Sequence, residues 1–171
     1  NNSKKIRDIS CSDIALPFGK SAEYTIYTAK GSSVKDYDFH PVKKSVLRDS
    51  TYHFANYGGK STSGEGFPYY NVTADNNRGA MIAIGWTGNW RCDFAIDKYN
   101  SITMSAGMPG QDMYLYSGEQ FRTPSIVILF WRGKDRIDGN NYWRQFMLSH
   151  YTPKDSKGNM ITPPTAGSFD Y

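Results

Sequence analysis

The sequence predicts an all-β protein: a large antiparallel β-sandwich with one short helix near its C-terminal end. Three observations carry this expectation. Aromatic and β-branched residues come in short runs separated by Gly, Asn, Asp, Ser and Pro. Several of those runs alternate between apolar and polar residues, as half-buried strands do. Only one stretch, late in the chain, has apolar residues at helical spacing. Roughly ten short strands and a single late helix fit a sandwich, with a barrel as the architectural alternative. At 171 residues the chain is one domain, large enough to bury a core without metal or disulfide staples.

The elements follow in order. Ala22–Ala29 (AEYTIYTA) alternates as a strand and Gly31–Ser33 turns the chain. Val34–His40 places Val, Tyr and Phe on one parity against Lys and Asp, which predicts a second strand. Thr51–Ala55 predicts a short strand. Asn56–Gly66 (NYGGKSTSGEG) holds four glycines and almost no apolar residues, so it reads as an exposed loop. Phe67–Thr73 returns to strand, with Pro68 near its start where a missing N–H is tolerated. Asp75–Gly79 is a turn. Ala80–Trp86 is nearly all apolar and predicts a central strand covered on both faces. Thr87–Asn89 turns into the strand Trp90–Ile96, and Ser101–Met108 and Met113–Tyr116 continue the meander. Ser125–Trp131 (SIVILFW) is the most hydrophobic segment and predicts a buried strand. Asn140–Tyr151 predicts the helix, with Tyr142, Trp143, Phe146, Met147 and His150 on one face, Asp138 or Asn140 as its cap, and Pro153 as its stop. The turn-rich tail 154–171 reads as a linker, so the domain is placed at 1–153.

The formal charge is +4, but the basic residues are scattered and interleaved with acids, as in Lys134–Asp135–Arg136. The densest cluster is Lys43–Lys44 with Arg48 nearby. A nucleic-acid binder would show a basic stripe or helix, so no nucleic-acid partner is expected. No apolar run is long enough to span a bilayer, and no membrane partner is expected. The residues do not fix a compartment; a periplasmic or extracellular one is favoured over the cytoplasm. The two cysteines, Cys11 and Cys92, read as buried thiols. A disulfide between them would need the chain start to lie against the strand carrying Cys92.

Catalytic patterns are absent. His40, His53 and His150 have no orienting partner in sequence, and no nucleophile elbow or phosphate loop occurs. Asp93, Asp112, Glu65 and Glu119 read as solvated charges. No catalytic residue, metal ligand or cofactor is expected. Binding has the better case. The loop Asn56–Gly66 sits beside two tyrosines, its glycines permit close backbone approach, and long polar loops on rigid β scaffolds tend to carry contacts. The candidate carbohydrate-binding residues are Asn56, Lys60, Ser61, Ser63, Glu65, Tyr70, Trp86 and Trp90. Trp86 and Trp90 flank one turn and read either as stacking residues or as core anchors. Asn71–Val72–Thr73 matches a glycosylation acceptor, discounted on a strand that reads as buried.

The stretches Tyr57–Gly64 (YGGKSTSG), Pro68–Val72 (PYYNV), Ile84–Phe94 (IGWTGNWRCDF), Gly107–Met108, Gly118–Pro124 (GEQFRTP) and Tyr142–Pro153 (YWRQFMLSHYTP) together resemble the N-terminal domain of glycoside hydrolase family 36, the α-galactosidase family. The succession of motifs, from about Asp49 to Pro153, carries the resemblance. It implies a β-supersandwich of the galactose-mutarotase type, followed in the parent enzyme by a (β/α)8 barrel that holds both catalytic aspartates. On that reading this chain is a non-catalytic domain that hydrolyses nothing alone. It packs on the barrel and lends the 56–66 loop to a carbohydrate site, and it can take part in a homo-oligomer. Several family members carry an acidic or Trp contact in that loop, where this chain offers Lys60, Ser61, Ser63 and Glu65. The alternatives are a free-standing carbohydrate-binding module and a mutarotase-like sugar isomerase, the latter needing a His and a Glu that face one groove.

Overall fold

The structure, a computed structural model, describes residues 5–19, 21, 23–62 and 66–161. Nine strands and one helix are formed among them, in the order β1 (Ile9–Ala15), β2 (Tyr24–Ala29), β3 (Pro41–Ser45), β4 (Thr51–Asn56), β5 (Tyr69–Ala74), β6 (Arg78–Gly85), β7 (Trp90–Ile96), β8 (Ile102–Met108), β9 (Ser125–Arg132) and α1 (Arg136–His150). All pairings between the strands are antiparallel. They build two sheets, β1-β8-β7-β4 and β3-β2-β5-β6-β9, which face each other as a sandwich. Neither sheet closes on itself, so the barrel alternative is ruled out.

The period-2 alternation of the strands explains the core. On the four-stranded sheet Trp90, Cys92 and Phe94 of β7 and Ile102, Met104 and Ala106 of β8 point inward. On the five-stranded sheet Ile26, Tyr70, Val72, Ala80, Ile82 and Ile84 do the same. The rings of Phe54, Tyr70 and Phe94 meet across the interface at centroid distances of 5.2–6.1 Å. Tyr24 closes one end, its hydroxyl donating to the carbonyls of Gly19 and Asn100, each at 3.0 Å.

Strand β6 is covered on both faces, as its apolar run predicts. Ala80, Ile82 and Ile84 enter the core, while Met81 and Ala83 lie buried on the outer face, where α1 packs against β5, β6 and β9. The helix can come this close because Gly139 has no side chain: a Cβ there would lie 2.5 Å from the indole Nε1 of Trp131.

Several expectations are corrected. Val34–His40 is a sequence of bends and turns, not a strand. The Asp38 carboxylate gathers the hydroxyl of Ser32 at 2.7 Å and the N–H groups of Ser33 and Val34 at 2.9 and 2.8 Å. Such local capture of backbone donors competes with strand pairing, and it leaves Val34 and Phe39 with left-handed backbone. Met113–Tyr116 contributes one bridge, between Met113 and Ile6, rather than a strand. β9 is an edge strand, and of its residues only Trp131 is buried; Phe130 is about half exposed. α1 begins at Arg136, capped by Asp135, whose carboxylate accepts from the N–H of Ile137 at 2.7 Å. The inward face of α1 is formed by Gly139, Asn140, Trp143 and Met147 with Phe146 beside them, while Tyr142 and His150 are exposed. Cys11 and Cys92 are both free thiols, and burial pushes the pKa of each above its ordinary value, far more for Cys92.

Candidate functional site

The segment 56–62 projects from the end of the sandwich where β4 leaves the four-stranded sheet, and residues beneath it hold its backbone. Asn56 is buried. Its amide oxygen accepts from the N–H of Gly58 at 3.0 Å, and its amide nitrogen donates to the carbonyl of Lys60. The N–H of Gly59 donates to the side chain of Asn89 at 2.8 Å, which ties the loop to the turn between β6 and β7. The indole of Trp90 donates to the carbonyl of Ser61 at 2.8 Å, and the Thr62 hydroxyl donates to the carbonyl of Gly66 at 3.0 Å. Gly66 packs where a Cβ would lie 2.5 Å from the carbonyl of Ala55. The described segment 56–62 is therefore fixed to its scaffold, and such pre-organisation lowers the entropic cost of a contact.

The structure separates the candidate residues into three groups. Lys60 and Ser61 are exposed on this loop, and half-buried Trp86 stands on the adjoining turn with its ring 6.5 Å from that of Phe121. Asn56 supports the loop from within. Ser63 and Glu65 lie outside the described residues. Tyr70 and Trp90 are corrections: both are sealed between the sheets, at 1% and 0% exposure, so neither offers a face to a ligand. The inward parity of β5 and β7 puts them there, and Trp90 meets the loop from below, through its N–H at Ser61 and the edge of its ring at Gly66. The Tyr70 hydroxyl has no hydrogen-bond partner within the described chain, and its burial pushes its pKa well above the ordinary phenol value.

His53 does find a carboxylate that sequence spacing hides. On the outer face of the four-stranded sheet its Nδ1 lies 2.8 Å from Asp93 Oδ1, and Arg91 donates to Asp93 Oδ2 at 3.1 Å. The register places His53 opposite Asp93 on adjacent strands. This is an ion cluster on an open sheet, with His53 largely exposed. Glu119 is engaged with the N–H of Tyr116, and Asp112 with Lys5. Among the described residues no group of three His, Cys, Asp or Glu side chains could hold a metal. Asn71, in the glycosylation pattern, is buried and fully bonded, so the sequon is shielded in the folded chain.

A second feature is a groove of about 480 Å³ on the outer face of the five-stranded sheet, bounded by β3 on one side and the start of α1 on the other. Tyr27, Tyr69 and Asn71 form its floor, and Lys43 and Arg136 reach into it. The sequence offered a partial signal: Tyr27 alternates out of phase with the core residues of β2, and Lys43 belongs to the densest basic cluster. Nothing in it indicated that Arg136 would join them.

No protein-family model and no curated protein matches the chain. Solved structures do match its fold. It is similar to the galactosidase domain of the α-galactosidase–sucrose kinase AgaSK, with a TM-score of 0.63 and 16% identity over 75% of this chain and 18% of that one. It is also similar to a variant of the GH36 α-galactosidase AgaA from Geobacillus stearothermophilus in complex with 1-deoxygalactonojirimycin, with a TM-score of 0.66 and 13% identity over 83% of this chain and 20% of that one. AgaB from the same organism matches with a TM-score of 0.56 and 15% identity over 71% and 17% of the two chains. The described chain thus shares the fold of a β region found in GH36 α-galactosidases and spans about a fifth of their length.

Proposed function

We propose that this chain is a non-catalytic β-sandwich domain of an α-galactosidase-like glycoside hydrolase. It packs against a catalytic barrel and lends the loop around Lys60 and Ser61, with Trp86 beside it, to the rim of a carbohydrate site. The observation that carries the reading is the fold likeness to GH36 α-galactosidases, among them AgaA variants in complex with raffinose and with stachyose. Two features of the chain support it. The backbone of 56–62 is tied to the sandwich while the side chains of Lys60 and Ser61 stay exposed, which suits a contact made to a ligand held mainly by another domain. Among the described residues, the candidate carboxylates Asp93, Asp112 and Glu119 are each engaged in a surface ion pair or a backbone turn. The tail 154–171 serves on this reading as the linker toward the barrel.

The test has two arms. The 171-residue chain is assayed with a nitrophenyl α-galactoside, and no turnover is expected; turnover by the chain alone overturns the proposal. The reading frame beyond residue 171 is then read for a (β/α)8 barrel with two carboxylates at strand ends. A frame that encodes no barrel also overturns it.

A further inference from the structure

We propose that the groove between β3 and the start of α1 is a binding site for a hexuronate, free or as a unit of an acidic oligosaccharide. The site stands apart from the 56–66 loop and does not depend on the reading of that loop.

Its construction begins with Asn71. This buried amide uses both ends: its oxygen accepts from the Trp131 indole at 3.0 Å, and its nitrogen donates to the carbonyl of Arg136 and to the side chain of Asn140, at 3.0 and 2.9 Å. The first turn of α1 is thereby fixed to the sheet, and Arg136 is held over the groove. Its guanidinium lies 4.8 Å from the centroid of the Tyr27 ring. Lys43, directly opposite Tyr27 on β3, brings its ammonium within 5.7 Å of the same ring. Two cations therefore converge on one aromatic side chain from two different elements.

Neither cation has an acidic partner among the described residues, and no carboxylate lines the groove. Glu23 lines an adjoining smaller depression that Lys43 also borders, and there it accepts from the Thr25 hydroxyl at 3.2 Å and makes no ion pair with Lys43. Like charges brought together without a counter-ion are costly, so the groove is complementary to an anion. Its other surfaces narrow the class. The half-buried rings of Tyr27 and Tyr69 line the groove, Tyr27 with the two cations over its ring and Tyr69 packed against Phe67 and Trp143. A bare inorganic anion would leave these rings unused. A pyranose ring carrying a carboxylate suits this mixed lining: the carboxylate meets Arg136 and Lys43, the apolar side of the ring lies along the wall of Phe67, Tyr69 and Tyr27, and the hydroxyls meet Asn140 and the phenols. The volume lies within the roughly 300–1,000 Å³ typical of small-ligand sites.

The experiment is a titration of the ¹⁵N-labelled 171-residue chain at neutral pH and low salt with galacturonate, glucuronate, galactose, acetate and sulfate. A uronate is expected to give saturable shifts centred on Tyr27, Lys43 and Arg136. Its affinity should exceed that of galactose and of acetate by about tenfold, the effect of adding a charge-assisted contact or a ring contact. Lys43→Gln, an exposed edge-strand change that leaves the fold intact, is expected to weaken it about tenfold, and Arg136→Gln at least as much. The proposal is overturned if neither uronate saturates, if acetate or sulfate binds as tightly as the uronate, or if Lys43→Gln binds like the parent chain with an unchanged circular-dichroism spectrum.

Discussion

The two outer faces of the sandwich differ although the two inner faces are alike. The outer face of the five-stranded sheet carries Asn71, Thr73, Met81, Ala83 and Trp131, all buried, and α1 lies over most of them. The outer face of the four-stranded sheet carries the cross-strand row His53, Asp93, Ser105 and Asp13 beside Thr51, Ala95, Thr103 and Ala15, and these residues are half-buried or exposed. The first face behaves as a second core with one polar staple at its centre. The second is a solvated surface whose ion pairs face water. α1 covers β5, β6 and β9 but not β2 and β3, and the groove at Tyr27 lies beside the helix's first turn, where that cover begins. The binding site proposed above is a consequence of incomplete coverage, not of a dedicated cavity.

The largest test of this contrast is Trp131→Ala. The side chain is nearly buried under α1 and donates to Asn71. Its loss should cost about 3–5 kcal/mol, as for other buried Trp truncations. Urea unfolding would measure this, and a cost below about 1 kcal/mol would mean that α1 is only loosely laid on the sheet.

Next comes Asn71→Ala, which removes no apolar contact of note but strands the Trp131 N–H and the Asn140 amide oxygen beneath the helix. Each orphaned buried group costs about 1–3 kcal/mol, and partial rehydration at the groove lowers the total to about 2–3 kcal/mol. Hydrogen exchange should show the loss concentrated in the first turns of α1. A uniform loss through the whole sandwich would deny Asn71 its role as the staple.

What could be read beforehand follows the same division. The limits of β7, Trp90–Ile96, and the inward set Trp90, Cys92 and Phe94 are visible as plain alternation, because one face of that strand meets oil and the other water. β3 (PVKKS) was invisible, since an exposed edge strand is held by backbone pairing to β2 and needs no apolar alternation. β1 was hidden by the irregularity between Ser10 and Ser12, which shifts its parity midway. The start of α1 was missed because Asp135 sits in a run of charges that reads as surface, whereas it caps the helix. Of the candidate site, the loop and its exposed Lys60 and Ser61 were legible from glycine content and polarity. The binding assignments of Tyr70 and Trp90 failed because each follows the inward parity of its strand, and Trp90 takes the core-anchor alternative that the alternation of β7 already offered. The cluster of Tyr27, Lys43 and Arg136 depends on three elements far apart in sequence, so no spacing rule could find it.

On the open face, Asp93→Asn should cost about 1 kcal/mol, since the Asp93 side chain is shielded but its partner His53 is largely exposed and Arg91 half-buried. The cost should shrink further in high salt, where surface charges are screened. Chemical denaturation at low and high salt distinguishes this from a buried network. A loss comparable to that of Asn71→Ala would mean that another surface covers the His53–Asp93–Arg91 cluster in solution.

The smallest expected effect concerns the connection that leads into β3, the wall of the groove opposite α1. Hydrogen bonds from the Ser33 N–H first, then from the Ser32 hydroxyl, with those of Lys35 and Val34 adding to them, hold the Asp38 carboxyl down to about 2 against an ordinary 3.8. The folded value lies below the unfolded one, so the stabilisation is fully present above pH 3.8 and fades as the pH falls through about 2. The carboxylate is open to water, so the effect on global stability should be slight, and its visible consequence local. An NMR titration should find the amides of Ser33 and Val34 moving together between pH 4 and 2, with β6 and β7 unaffected. Asp38→Asn should loosen the turn at neutral pH and abolish that transition. If the titration instead centred near 3.8, the turn would not be held by its carboxylate, and β3 would lack the rigid lead-in that keeps Lys43 opposite Arg136.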